Sequence, residues 1–395
     1  MRCLLTLLYI QLTFQSIHLL LAEAGYGFEK VGENVPKNIV LCCDGTDNEV
    51  ATDSTNVLRL FRMLERDERQ VAYYDGGVGT LADPAAISIF QRYLSRRLDA
   101  AIGLRVRDNV IAAYRFLART YEPGDQIYFF GFSRGAYTVR AMAGLMHFLG
   151  LVRPELENLA PLAWAVYANE AHAYTVSPRF AGGKRFNRCF GVRPKPTIHF
   201  VGAWDTVSSF GWFWNYQTLP HTTVNPSIGH FRHALAIDER RACFPESLFR
   251  PDEEQQLHCK QVWFAGVHAD VGGGYPEKEA TLAKVSLVWM LREAEQLGLL
   301  INASEREYLL NSKTKPVTNP CGPIHESLAG FWKAIEYLPR RGWDEPAGRM
   351  RWQGLHCGRR RTIQPGSTLH ASVLERQKKL GYAPPNLPAE FGVEE

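Results

Sequence analysis

No Cys-x-x-C pair and no zinc-ligand spacing occurs in the 395 residues, although eight cysteines are present. One cysteine lies in the N-terminal segment, which leaves an odd seven, and Cys42 and Cys43 are adjacent in an apolar run. Neighbouring strand residues point to opposite faces, so these two read as small buried groups and a disulfide framework is excluded. An excess of charge of one sign is also lacking: the net value is +4, and the short run Arg359, Arg360 and Arg361 has no aromatic-basic repeat around it. That run reads as a solvated basic face, and nucleic acid is not expected as a partner. There is no internal repeat and no low-complexity linker. The glycine-rich stretches DGGVGT (75–80) and Gly272 to Gly274 lack the Lys-Ser/Thr ending of a phosphate loop and read as turns.

What the chain does have is apolar content, 46% of residues, with nine Trp, 21 Phe and 16 Tyr. That is enough for a large core and for an apolar substrate cleft. From Cys3 to Ala22 there is no Asp, Glu, Lys or Arg, and Ala22-Glu23-Ala24 resembles a cleavage site. Residues 1–24 therefore read as a signal peptide or a membrane anchor, and export or anchoring is the expected localisation. A start codon downstream, giving a cytoplasmic protein, is the alternative, and the unpaired thiols favour a reducing compartment.

From residue 36 onward, apolar strands alternate with helical patterns. Strands are predicted at 39–43, 71–74, 126–130, 197–203 and 261–267, and helices at 55–66, 87–120, 136–150, 227–241 and 280–297. Apolar strands separated by helices imply a mainly parallel sheet covered on both faces, in one α/β domain over 36–390. The stretch 150–195 is helical at first, then loop-like and basic, and suits an insertion over one end of the sheet.

YFFGFSRGAY (128–137) has the layout of a nucleophile elbow: a strand ending at Gly131, a tight turn with Ser133 at its tip, Gly135, and a helix directly after. Gly-x-Ser-x-Gly alone is weak; its placement between strand and helix gives it meaning. The following helix N-terminus favours developing negative charge, and the backbone N–H of Arg134 is the expected first oxyanion donor. A serine needs a histidine base, and that base an acid to hold its tautomer. Two downstream strand ends supply them in the expected order: Asp205 in GAWDTVSSFG and His268 in GVHADVGGGY.

Rival residues stay open. Asp270, two residues from His268, is the alternative acid, although such a neighbour often caps a turn. His325 is the rival base; His199 in a strand and His230 and His233 in a predicted helix read as structural. DGTDN (44–48) follows the first strand, where Gly45 or Thr46 is placed to give the second oxyanion N–H. Asp44 and Asp47 in that turn also permit a metal reading, but no further acid or His joins them, so no metal is expected. GWFWNYQTLP (211–220) either lines an acyl cleft or touches a lipid surface, or is a packed aromatic cap.

VLCCDGTDN, YYDGGVGT, GFSRGAYTVRAMAGL, FVGAWDTV, HALAIDERR and FAGVHADVGGGY together resemble the successive blocks of the catalytic domain of the type VI secretion lipase effectors (Tle), first group. RRRTIQPGSTLHASVLERQ and APPNLP are similar as well, so the resemblance spans roughly 37 to 390. It implies an α/β-hydrolase fold, phospholipase A activity and a triad whose motif positions here are Ser133, Asp205 and His268. No cofactor follows from that chemistry, and the expected partner is an ester or phospholipid, with contact to a membrane surface. A soluble carboxylesterase or thioesterase would use the same residues, and a non-catalytic binding protein of the same fold is the reading from another class.

Overall fold

In the computed structural model the described residues are 35–45, 55–77, 95–173, 181–207, 219–312, 315–337, 340–344 and 349–395. The N-terminal segment 1–24, most of DGTDN and nearly all of the aromatic loop 211–220 lie outside them. Residues Lys37–Glu395 form one compact unit.

Its centre is an eight-stranded sheet: β1 (Asn38–Cys43), β2 (Gln70–Asp75), β3 (Gln126–Phe132), β4 (Ile198–Trp204), β5 (Ile228–Ala236), β6 (Cys259–Phe264), β9 (Thr368–His370) and β10 (Gly392–Glu394). The spatial order is β10-β9-β6-β5-β4-β3-β1-β2, and every pairing is parallel. The remaining two strands, β7 (Arg340–Asp344) and β8 (Arg349–Gly354), form a separate antiparallel hairpin. This is the α/β-hydrolase-type architecture, with helices on both faces.

A parallel sheet covered on both sides must be apolar on both sides, and β1 shows how the period of two achieves it. Ile39, Leu41 and Cys43 enter one core, while Val40 and Cys42 enter the other. The first core packs under α2 (Ser95–Thr120), α3 (Arg134–Leu149), α4 (Ala160–Ala173) and α5 (Ala181–Phe190) through Tyr114, Met142, Trp164 and Phe186. The second packs under α1 (Asn56–Met63), the later helix Ala283–Glu295 and the helix Ala303–Asn311, through Leu60, Trp289 and Leu309. Each fully buried side chain of this size contributes about 1.5–3 kcal/mol.

Two expectations need correction. The predicted helix at 227–241 is strand β5, hydrogen-bonded between β4 and β6. Both of its faces are covered, so Ile228, Phe231, Arg232 and Leu235 fall at helical spacing without being helical. In the second half of the 150–195 stretch, expected to be loop-like, the ten residues of α5 are helical and pack Phe186 into the core under α3, over a face of the sheet. The predicted strand at 261–267 starts two residues earlier and ends at Phe264. Strands β9 and β10, three residues each, carry too little pattern to be read from sequence.

Candidate active site

The sheet order reverses at β1: the chain runs from β1 outward to β2 and returns on the other side with β3. Such a switch point opens a crevice at the carboxyl ends of the strands. Gly45 follows β1, Ser133 follows β3, Asp205 follows β4, Glu239 lies beyond β5 and His268 beyond β6, so five adjacent strands deliver the candidate residues to one edge.

Ser133 has φ 56° and ψ −120°, a region that side-chain-bearing residues rarely adopt. The turn is held by hydrogen bonds from Ser133 N to Trp204 O (3.0 Å) and from Tyr137 N to Ser133 O (3.3 Å). Its glycines are obligatory. A Cβ on Gly135 would lie 2.1 Å from Cys43 O, and one on Gly131 would lie 2.6 Å from Ala136 Cα. A serine at a helix start ordinarily caps it, but the Ser133 side chain makes no capping bond to α3.

Asp205 also has positive φ, 39°, and is fully buried. Its Oδ2 meets His268 Nδ1 at 2.5 Å, and its Oδ1 accepts from Ala236 N at 3.0 Å. Arg361 forks onto both oxygens, Nη1 to Oδ1 at 2.6 Å and Nη2 to Oδ2 at 3.0 Å. Burial by itself would raise the carboxyl pKa; the Arg361 charge and the His268 bond reverse this and hold it well below the usual carboxylate range.

His268 opens the short helix α6 (His268–Gly272). Its N–H donates to Glu239 Oε2 at 3.2 Å, and its ring sits 4.6 Å from that of Phe132 and 4.9 Å from that of Phe244. Gly272 makes the first contact feasible, because a Cβ there would come within 1.9 Å of the Phe132 ring. Burial pushes the imidazole pKa down and Asp205 opposes it, with a net lowering that keeps the ring neutral near pH 7. With Nδ1 bonded to the carboxylate, Nε2 is the acceptor.

The alternative acid and the rival base are both accounted for by one contact. Asp270 Oδ1 faces His325 Nδ1 at 2.6 Å, and its Oδ2 accepts from Val267 N and His325 N, each at 3.1 Å. His325 is further held by Glu279 Oε2 at 3.1 Å and stacks on Tyr275. His199 bonds Leu297 O at 2.9 Å. His230 and His233 lie on β5, and His233 accepts from Thr206 N at 3.1 Å, bracing the residue after Asp205.

The Gly45 N–H donates to Asp44 Oδ1 at 2.7 Å, and Thr46 and Asp47 lie outside the described residues. Asp44 Oδ2 accepts from Thr55 Oγ1 and from Tyr74 Oη at 2.9 Å, so this carboxylate ties β1 to β2 and to the start of α1. Gly77 (φ 69°) presses on the same turn, since a Cβ on it would lie 2.3 Å from Gly45 O. Among the described residues no three His, Cys, Asp or Glu side chains gather into a metal-binding group, and no helix is long and apolar enough to cross a membrane.

Sequence reasoning missed Arg361 and Glu239. Of the basic run, only Arg359 is exposed; Arg360 pairs with Asp238 at 2.9 Å and Arg361 is buried against Asp205, so the run is not a solvated face. Glu239 is buried and accepts from Arg241 Nε and Nη2, both at 2.9 Å; burial would raise its pKa, but Arg241 brings it down to about 2.

A family model described as "T6SS, Phospholipase effector Tle1-like, catalytic domain" matches residues 37–293. Uncharacterized protein YEL023C of Saccharomyces cerevisiae is 35% identical over 231 residues, covering 54% of this chain and 33% of that protein. The chain thus spans about a third of that relative's length. Two solved structures are similar at 19% identity: an uncharacterized protein from Pseudomonas aeruginosa (TM-score 0.41, 69% of this chain, 47% of the other) and a Tle1 effector bound to the VgrG spike of the type 6 secretion system (TM-score 0.33, 63% and 53%).

Proposed function

We propose that this chain, which belongs to the family of type VI secretion phospholipase effector Tle1-like catalytic domains, is a serine ester hydrolase of the lipase and phospholipase type. The observation that carries the reading is the 2.5 Å bond between His268 Nδ1 and Asp205 Oδ2, at the same sheet edge as a serine held at φ 56°. Backed by Asp205, the neutral His268 takes the Ser133 proton on Nε2 while Ser133 Oγ attacks the ester carbonyl. The tetrahedral oxyanion is met by the N–H of Arg134, the first residue of α3, where the helix dipole adds to the bond. The second donor comes from the Gly45-Thr46 turn. His268 then returns the proton to the leaving alkoxide, and a water deprotonated by His268 releases the acyl group.

Ser133→Ala tests this directly. The variant should fold and unfold as the parent does, lose ester hydrolysis, and lose labelling by a fluorophosphonate probe; undiminished turnover in the folded variant defeats the assignment. A panel of short acyl esters, acyl thioesters and phospholipid vesicles then separates a lipase from a carboxylesterase or thioesterase, with phospholipid the expected preferred class.

A further inference from the structure

We propose that Arg361 is a positioning residue for the acid of the triad, one that keeps Asp205 ionised and fixes the plane of its carboxylate so that Oδ2 meets His268. The proposal rests on the hydrolase reading above. Residue 361 lies beyond the region matched by the family model, 37–293, and reaches the site from the stretch before β9. All five guanidinium N–H groups are used there. Nη1 donates to Asp205 Oδ1 (2.6 Å) and Ala236 O (3.1 Å), Nη2 to Asp205 Oδ2 (3.0 Å) and Phe244 O (2.7 Å), and Nε to Phe244 O (3.2 Å).

A fork with two prongs on the carboxylate and its other donors on two backbone carbonyls cannot rotate without breaking bonds, so it sets the carboxylate's orientation. The same carbonyl that anchors it belongs to Phe244, whose ring packs on His268. One buried cation therefore ties the acid to the wall of the base.

The electrostatic consequence has a definite sign. The charged and titratable groups around the Asp205–His268 pair are Arg361, Glu239, Arg241, Glu246, with Oε2 3.8 Å from Arg361 Nε, and His233, which burial keeps neutral. Removing the Arg361 charge leaves either an unneutralised carboxylate, which raises the proton affinity of His268, or a carboxylate that itself takes up a proton. In both cases the pair reaches its working protonation state only at higher pH. The acid limb of the rate profile must move upward, whereas an Arg361 that merely stabilised the fold would lower activity at every pH alike.

The test measures fluorophosphonate labelling of Ser133 and kcat/KM for a short acyl ester against pH in the full chain, for the parent, Arg361→Gln and Arg361→Lys, with near-UV circular dichroism as the check on folding. Arg361→Gln should lose at least about tenfold at neutral pH, with the acid limb displaced upward by about one unit or more. Arg361→Lys, which keeps the charge and loses the fork, should hold the limb near that of the parent while kcat/KM falls about three- to tenfold. An unshifted limb in folded Arg361→Gln overturns the proposal. So does a parental rate and profile in Arg361→Lys, which decides the matter even if the glutamine variant does not fold. A parent chain that the probe does not label at Ser133 refutes the hydrolase reading instead, and is recognised as such because no variant is needed to see it.

Discussion

Replacing Asp205 by Asn separates the two candidate acids and can be worked through bond by bond. The carboxylate accepts four bonds: from His268 Nδ1, from both Arg361 prongs and from Ala236 N. An asparagine carbonyl in place of Oδ1 still accepts from Ala236 N and Arg361 Nη1. Its NH2 group then sits where Oδ2 was, facing two donors. His268 escapes this clash by giving up its Nδ1 proton, which leaves the proton on Nε2, where Ser133 needs an acceptor. The wrong tautomer in a serine triad costs about 10⁴-fold in kcat, equivalent to about 5 kcal/mol of barrier. The buried Arg361 charge also loses its partner, so the fold should lose about 3–5 kcal/mol, read as a shift in the urea midpoint. Asp270→Asn is the control. Its carboxylate holds His325 and the start of α6, not the ring of His268, so kcat/KM should stay within about tenfold of the parent. Ester hydrolysis by folded Asp205→Asn within tenfold of the parent, or a loss larger in Asp270→Asn than in Asp205→Asn, would refute the assignment of the acid.

Further outcomes follow from the same geometry. Gly135→Ala places a methyl group 2.1 Å from the Cys43 carbonyl oxygen, a clash with backbone and not with a flexible side chain that could yield, and should cost about 3 kcal/mol or more in urea unfolding. Burial lowers the pKa of His233 to about 3 and those of His147, His230 and His370 to about 4. The unfolded chain therefore takes up protons at these groups first, as pH falls through about 6.5, and the native state does not follow until near pH 4. Stability should accordingly drop on acidification below about pH 6.5, before most carboxylates titrate, and a Tm unchanged between pH 7 and 5 would contradict this. Asp205, whose folded pKa is depressed, contributes stability that persists above the ordinary carboxylate range and disappears only at still lower pH.

Much of the site was legible because its residues answer to local rules. The elbow announces itself through two glycines that backbone crowding requires, and Asp205 and His268 each follow an apolar strand. Other parts had no local signal. β5 is covered on both faces, so its buried residues do not alternate and the helical spacing of Ile228, Phe231 and Leu235 stands out. The α5 segment AGGKRFNRCF has two glycines in its first three residues and carries three basic residues, so its apolar face, Phe186 included, is masked by composition. Arg361 was invisible for a different reason: three arginines in a row look solvated, and the partner that buries the third is 156 positions upstream. Asp270 and His325, the rival acid and rival base in the sequence, satisfy one another.

That wide spacing has a consequence for how activity arises in time. His268 and Asp205 are 63 positions apart and Asp205 and Arg361 are 156 apart, so the proposed hydrolytic centre is assembled from long-range contacts, and such contacts close late. During refolding from denaturant, helix signal and burial of the β1–β3 core should recover ahead of reactivity at Ser133. On the proposed assignment, the serine should reach its elbow while still inert and become reactive only when the stretch bearing Arg361 docks.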